Sequence, residues 1–233
     1  MQYLIERLIY LIASFLAVTI VLSLHEFSHA FVAYRCGDPT PKMNGRVTLN
    51  PLAHFDILGL VMFTFAGFGW AKPVPINPYN FKNYRRGLAF TAVAGVAMNY
   101  LTAFLWCPLY LLALRGTGIE GLDYFLQLFT MCLYTYSLSF CVFNLIPLPP
   151  LDGWRVVEAV DRRQGKVYQF LRRYGNIILL VLIGYHFLVS VLSSTGYYTA
   201  ATVLGYADVL GWIMGYVTNW IGWPIMALWG LVF

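Results

Sequence analysis

The chain has 233 residues, of which 60% are hydrophobic and 11% are charged, and its mean hydropathy is +0.67. This composition lies outside the range of soluble globular domains and is typical of a protein with several transmembrane helices. The net charge of +5 does not call for a nucleic-acid partner, because basic residues accumulate in the cytoplasmic loops of membrane proteins.

Five apolar stretches are long enough to cross a bilayer, whose hydrocarbon core takes about 20 helical residues. They predict an all-α polytopic membrane protein with transmembrane helices at about 4–34, 87–114, 124–147, 174–194 and 204–232. A sixth apolar run, 57–70, is short for a crossing and contains Gly59, Gly67 and Gly69. It is predicted to be a re-entrant or interfacial segment.

The segment 42–52 carries the β-branched residues Val47 and Thr48 between turn-forming residues. This pattern predicts a short strand or small β-hairpin at the cytoplasmic interface. An exposed strand edge at 45–50 would offer main-chain hydrogen bonds to an extended peptide.

The basic residues indicate how the helices are oriented. Of the 15 lysines and arginines, 13 lie in two stretches, 35–86 and 155–173. Five spans place both stretches on the cytoplasmic side, provided that 57–70 does not cross. No internal repeat or linker divides the chain, so we expect one integral membrane domain over 1–233, with a core at about 4–160 and additional helices over 174–232.

The stretch "LHEFSHAF" at 24–31 places two histidines and a glutamate near the end of the first predicted span. On a helix His25 and His29 project from one face, so their imidazoles can hold one Zn²⁺ while Glu26 lies beside its open position. Ionisable groups inside a membrane are costly to bury, which favours a functional site over a chance match.

A catalytic zinc site needs a third protein ligand at the same depth. The stretch "FNLIPLPPLDGW" at 143–154 follows the third span and brings Asp152 to the cytoplasmic boundary. Its three prolines break the helix, and membrane depth tolerates free backbone groups only where protein or a water-filled cavity receives them. Asp152 is therefore the candidate third ligand.

The chain resembles the site-2 protease family of intramembrane zinc metalloproteases in two motifs, "HEFSH" at 25–29 and "NLIPLPPLDG" at 144–153. The likeness extends over about 20–160. It implies that His25, His29 and Asp152 hold one Zn²⁺ per chain and that Glu26 is the catalytic acid and base. It also implies that the substrates are single-span membrane proteins cut within or near the bilayer. No PDZ or CBS domain, which some family members carry, is expected in this chain.

Two asparagines are candidates for a supporting role. The family often has a Gly-Pro-x-x-Asn-like element, to which "AGVAMNY" at 94–100 is similar in Asn99 but not in the proline. The resemblance implies that Asn99 and Asn144 support the substrate backbone or the oxyanion, a task suited to amide donors. Hydrogen bonding between helices is an equally good interpretation of both residues.

The sequence thus predicts an intramembrane zinc endopeptidase, with regulated intramembrane proteolysis and signal-peptide clearance both open as its role. We expect it in the cell membrane, with the site near the cytoplasmic face. The alternatives are a catalytically silent membrane binding protein of the same fold and a metal or solute transporter. The sequence leaves the oligomeric state open.

Overall fold

The computed structural model describes residues 1–66 and 69–233, and the side chains of all of these except 65 and 66. The α-helices of this part, in chain order, are α1 (Gln2–Cys36), α2 (Thr40–Met43), α3 (Ile57–Ala66), α4 (Tyr84–Leu114), α5 (Glu120–Leu145), α6 (Asp152–Val160), α7 (Lys166–Ser194), α8 (Tyr198–Gly205), α9 (Val209–Trp212) and α10 (Thr218–Gly230). Short 3₁₀ turns occupy Pro51–Ala53 and Pro78–Asn80, and a π-helical turn, Ile213–Val217, joins α9 to α10.

Within the described residues, four helices, α1, α4, α5 and α7, are long and apolar enough to cross a membrane. A fifth span exists if α8 and the segment 209–230, which are bent by 80° at their break, count together. The all-α membrane fold is therefore confirmed. Helix α7 begins at Lys166 rather than at 174, because a helix can continue through basic residues beyond the apolar run that marks its membrane part.

The first helix ends where glycine permits a left-handed backbone. Gly37 has φ of 113°, and its N–H donates to the carbonyl of Tyr34 while the next N–H, that of Asp38, donates to Ala33. This closure satisfies carbonyl groups at the helix end that would otherwise lack donors. The chain then turns back, so that residues 38–83 form the connection to α4.

The centre of the molecule is the mutual packing of α1, α4 and α5. Small buried residues, among them Ala13, Ala17 and Ala103, line the contacts. Small side chains let helices approach closely, which is how membrane helices associate without a hydrophobic driving force between them. Helix α6 packs on α4 and α5, and α10 also packs on this pair.

The predicted β-hairpin at 42–52 is wrong, since the described residues contain no β-strand. In this segment, side chains form hydrogen bonds with the backbone groups that would pair with a neighbouring strand in a hairpin. The Thr48 hydroxyl accepts from the Asn50 N–H, and the Asn50 side chain accepts from the Leu52 N–H at the start of a 3₁₀ turn. The Thr48 carbonyl lies 2.9 Å from Nε2 of the buried His54. Local side-chain bonds of this kind favour turns over strands.

The apolar run at 57–70 contains α3, which has 10 residues. At 1.5 Å per residue such a helix is about 15 Å long, roughly half of the hydrocarbon core, and so cannot cross it alone. Gly67 lies outside the described residues. A re-entrant course for this segment stays a prediction.

The predicted last span, 204–232, is broken near its start. Asp208 precedes α9 and accepts from the Gly211 N–H at 2.8 Å, and its other oxygen lies 2.7 Å from Nδ1 of His186 on α7. A carboxylate at this position caps the new helix and fixes the bend against α7.

Candidate metal centre

The two histidines of the HExxH motif lie one turn apart on α1, and both are buried. His25 is 5% exposed and His29 is 4% exposed. Their Nε2 atoms are 3.0 Å apart, and the two rings meet edge to face. The spacing of four residues on a helix accounts for this, as the sequence predicted.

Asp152 reaches the histidines as the first residue of α6, and it is 6% exposed. Its Oδ2 lies 3.0 Å from Nε2 of His29 and 3.3 Å from Nε2 of His25. The proline-containing connection 146–151 ends α5 and turns the chain into α6. Gly153 permits a tight turn, because a Cβ there would stand 2.6 Å from the Ile146 carbonyl oxygen and closer still to that of Leu145.

The three ligand atoms of His25, His29 and Asp152 lie within 4.8 Å of one another, and this group could hold a metal ion. Ligands at about 2.0–2.1 Å from a tetrahedral zinc lie roughly 3.3 Å from each other. The observed separations of 3.0, 3.0 and 3.3 Å match that arrangement. Two imidazoles and one carboxylate, with room for a fourth ligand, are a donor set typical of catalytic zinc.

The carboxyl group of Asp152 is held in its charged form. Burial by itself would raise the pKa of this carboxyl, but the adjacent imidazoles of His25 and His29 outweigh burial and lower the pKa below its ordinary range. A deprotonated carboxylate is the form that binds metal.

Helix α4 supports the histidines with three residues that follow one another at intervals of four. The carbonyl of Thr91 lies 2.7 Å from Nδ1 of His29, and the side-chain nitrogen of Asn99 lies 3.0 Å from Nδ1 of His25. Between them, a Cβ at Gly95 would overlap both rings. The sequence predicted Asn99 as a support for the substrate or oxyanion, or as a hydrogen-bonding residue between helices. It did not single out Thr91 and Gly95, although small or polar residues at 91, 95 and 99 mark one helix face.

Glu26 lies on the wall of a cavity of about 580 Å³ that opens beside the histidines and Asp152. Apolar side chains dominate the wall and come from several elements, including Leu22 of α1, Phe140 of α5 and Ile183 of α7. A mostly apolar cavity with a few converging polar groups is the form expected of a binding site.

The two candidate asparagines occupy different places. Asn144 lines the cavity, and its side-chain nitrogen donates to the carbonyl of Phe140 at 3.1 Å. Asn99 is fully buried behind His25. Of the two, Asn144 is therefore the one that faces the space a substrate would fill.

Part of the cavity wall is the non-helical segment 69–76. The guanidinium of Arg46, only 6% exposed, fixes it by donating to the carbonyls of Lys72 and Pro73, both at 3.3 Å, and also to the carbonyl of Ala53. The His54 carbonyl accepts from the Lys72 N–H at 3.0 Å. His54 thus belongs to this loop structure, and the group of three ligand residues does not include it.

Among curated proteins, the chain is similar to "Putative zinc metalloprotease YwhC" of Bacillus subtilis, with 38% identity over 179 residues, which are 72% of this chain and 79% of that protein. It is also similar to two proteins named "Putative zinc metalloprotease Rip2". The one from Mycobacterium tuberculosis is 32% identical over 168 residues, 69% of this chain and 62% of the relative. The one from Mycolicibacterium smegmatis is 29% identical over 175 residues, which are 70% of this chain and 62% of that relative. No family model and no solved structure matches the chain.

Proposed function

The chain belongs to the family of zinc metalloproteases that includes YwhC of Bacillus subtilis, and from that premise we propose that it is an intramembrane zinc endopeptidase of the site-2 protease type. Its substrates are single-span membrane proteins, which it cuts within or near the bilayer. It lies in the cell membrane with its active site towards the cytoplasm.

The observation that carries this proposal is the position of the candidate metal ligands. His25, His29 and Asp152 converge beside Glu26 on the wall of an apolar cavity, and they come from α1 and α6. Helix α1 is long and apolar enough to span a membrane, which supports a site that a transmembrane substrate can reach. Ionisable groups buried within a membrane are costly and indicate function.

His25, His29 and Asp152 would hold the zinc. When bound, zinc polarises the scissile carbonyl and makes the attacking water more acidic. Glu26 takes a proton from that water as its oxygen bonds to the carbonyl carbon, and returns the proton to the leaving nitrogen as the C–N bond breaks. The products are a carboxylic acid and an amine, with no covalent enzyme intermediate.

A helical substrate hides its carbonyls in its own hydrogen bonds, so it must unwind locally before it is cut. The cavity offers apolar walls for its side chains and the Asn144 amide for its backbone or for the developing oxyanion. Asn144 therefore supports the substrate.

The experiment compares purified wild type, Glu26→Gln and Asp152→Ala in detergent for zinc content and for cleavage of a panel of single-span substrates. We expect wild type to bind one zinc per chain and to cut, Glu26→Gln to bind zinc without cutting, and Asp152→Ala to lose zinc. Glu120→Gln, an exposed residue at the start of α5, is the matched control and should behave as wild type.

Each alternative outcome has a definite meaning. Normal cleavage by Glu26→Gln would refute the assigned acid and base. Zinc retained by Asp152→Ala would refute the third ligand. Zinc binding without cleavage of any substrate in the panel would favour a silent binding protein, and zinc movement across proteoliposome membranes would favour a transporter.

A further inference from the structure

The side chain of Asn99 meets His25 at the ring nitrogen that faces away from Asp152. Asn99 is 0% exposed, and its Nδ2 lies 3.0 Å from Nδ1 of His25. Its Oδ1 is buried and has no hydrogen-bond partner. A fully buried amide in contact with one atom of a candidate metal ligand is a costly arrangement unless that contact has a use.

Metal binding through Nε2 of both histidines would give this contact a use. The atoms of His25 and His29 that converge on Asp152 are both Nε2. A neutral imidazole has one proton, and a ring that binds metal through Nε2 must carry it on Nδ1. In each histidine the Nδ1–H then needs an acceptor, because a buried donor without one is destabilising.

For His29 the acceptor is unambiguous. The backbone carbonyl of Thr91 lies 2.7 Å from its Nδ1, and a carbonyl can only accept. This hydrogen bond holds the proton on Nδ1, so the lone pair of Nε2 is available to bind a metal. Residues that hold a ligating histidine in this way are the usual partners of metal sites.

For His25 the atom next to Nδ1 is the side-chain nitrogen Nδ2 of Asn99. If Nδ1 carries the proton, this NH₂ group and the Nδ1–H are both donors, and no hydrogen bond can form between them. The oxygen and nitrogen of an asparagine amide occupy almost the same shape, and half a turn exchanges them. That turn places the unpartnered Oδ1 at Nδ1 of His25. We infer that Asn99 positions His25 for metal binding, its Oδ1 accepting the Nδ1–H of His25 so that the Nε2 lone pair points at the metal.

The backbone of α4 makes this contact possible. Gly95 is one turn before Asn99 and leaves no Cβ between α4 and the two imidazoles. The helix can therefore approach α1 closely enough for Asn99 to reach Nδ1. Asn99 is thus a positioning residue behind the metal, separate from the cavity that Asn144 lines.

This inference rests on the proposed zinc site, and its test does not depend on cleavage. Zinc affinity is measured by competition with a chelator for wild type, Asn99→Asp, Asn99→Leu and Asn219→Leu. Asn99→Asp keeps a hydrogen-bond acceptor next to His25, whereas Asn99→Leu keeps only the approximate side-chain volume. Asn219 is an exposed residue of α10, and Asn219→Leu is the matched control. We expect Asn99→Leu to weaken zinc binding by about 10- to 100-fold, and Asn99→Asp and Asn219→Leu to stay close to wild type.

A second measurement needs no variant with a changed core. Wild type labelled with ¹⁵N-histidine and loaded with ¹¹³Cd²⁺ should show metal coupling to Nε2 of His25 and a protonated Nδ1. Metal coupling to Nδ1 of His25 would overturn the inference. So would a zinc affinity of Asn99→Leu equal to that of wild type, or a zinc affinity of Asn99→Asp as weak as that of Asn99→Leu. A wild type that binds no metal would overturn the proposed function together with this inference, whereas the other failures leave the proposed function intact.

Discussion

Gly95 of α4 lies against His29 of α1 so closely that a single methyl group at position 95 would overlap the imidazole. The same Cβ would stand 2.5 Å from Cε1 of His25. The close approach of the two helices, rather than the HExxH motif alone, thus determines whether the histidine rings can converge on Asp152.

The first prediction concerns this contact. Gly95→Ala should reduce zinc affinity by about 10-fold or more, because the rings must move away from Asp152. Gly184→Ala is the matched control, since a Cβ there meets nothing within 4 Å and Gly184 also lies inside a helix, α7. An alanine in a helix is otherwise favourable by up to about 1 kcal/mol. Equal zinc affinity of the two variants in a chelator competition would contradict the prediction.

The second prediction concerns the turn that presents Asp152. Gly153→Ala should shift the start of α6, because its Cβ would overlap the carbonyl oxygens of Leu145 and Ile146. The expected result is less than one zinc per chain after purification, together with a lower apparent unfolding temperature. Gly165→Ala, just before α7, has open space around the new Cβ and should keep both values. Full zinc occupancy in Gly153→Ala would show that the turn tolerates a side chain.

The third prediction concerns the cavity wall. Arg46→Ala should leave three carbonyl groups, those of Ala53, Lys72 and Pro73, without their donor. Each of these partly buried hydrogen bonds contributes about 1 kcal/mol, so their loss should release the segment 69–76 from its place beside the cavity. Cleavage should fall while zinc content stays at the wild-type level, because the hydrogen bonds of the Arg46 side chain go to Ala53, Lys72 and Pro73 rather than to His25, His29 or Asp152. Arg162→Ala, an exposed arginine after α6, is the control.

Loss of zinc from Arg46→Ala would contradict the third prediction, since it would make the loop part of the metal site. Unchanged cleavage would show that the position of 69–76 is unimportant for substrate.

The fourth prediction concerns pH. The buried carboxylate of Asp38, next to the end of α1, accepts from the backbone and hydroxyl of Thr40, the backbone of Asn77 and the side chain of Asn80. Burial by itself would raise the pKa of this carboxyl, but these hydrogen bonds outweigh burial and lower the pKa below its ordinary value. A lowered pKa in the folded protein means that the stabilisation is complete above the unfolded pKa of about 3.9 and is lost as pH falls through the folded value.

Asp38→Asn should therefore lower the apparent unfolding temperature at neutral pH, and the gap from wild type should narrow once the pH falls below about 4. Comparing the two proteins at each pH removes the contribution of the other carboxyl groups. Glu120→Gln should show no gap, because the Glu120 side chain makes no hydrogen bond in the described part of the chain. A gap between Asp38→Asn and wild type that is constant down to pH 3 would contradict the assigned role.

Much of the candidate site could be predicted from the sequence, because its main signals are local. The spacing of His25 and His29 decides their common face on any helix, and a long apolar run decides that the helix is long enough to span a membrane. The prolines before Asp152 predict a break in the chain. Each of these inferences depends on residues within a few turns of one another.

The predicted hairpin at 42–52 is wrong because the structure of this segment depends on contacts that are not local. Strand propensity is only a preference, and it gives way when other groups take the backbone hydrogen bonds. Thr48, Asn50 and Arg46 do so here, partly through contacts with residues about 25 positions away. A sequence pattern within 42–52 cannot indicate partners that lie so far away in the chain.

The sequence by itself determined a helical membrane protein with a metal-binding motif on its first helix and a candidate ligand after a proline-broken one. Only the tertiary structure decided that Asp152 meets both Nε2 atoms, that Thr91 and Gly95 serve the histidines, and that Asn99 lies behind His25 while Asn144 faces the cavity. The physical reason is that these relationships join helices 60 or more residues apart in the chain, and the packing of small side chains sets such distances to within a fraction of an ångström.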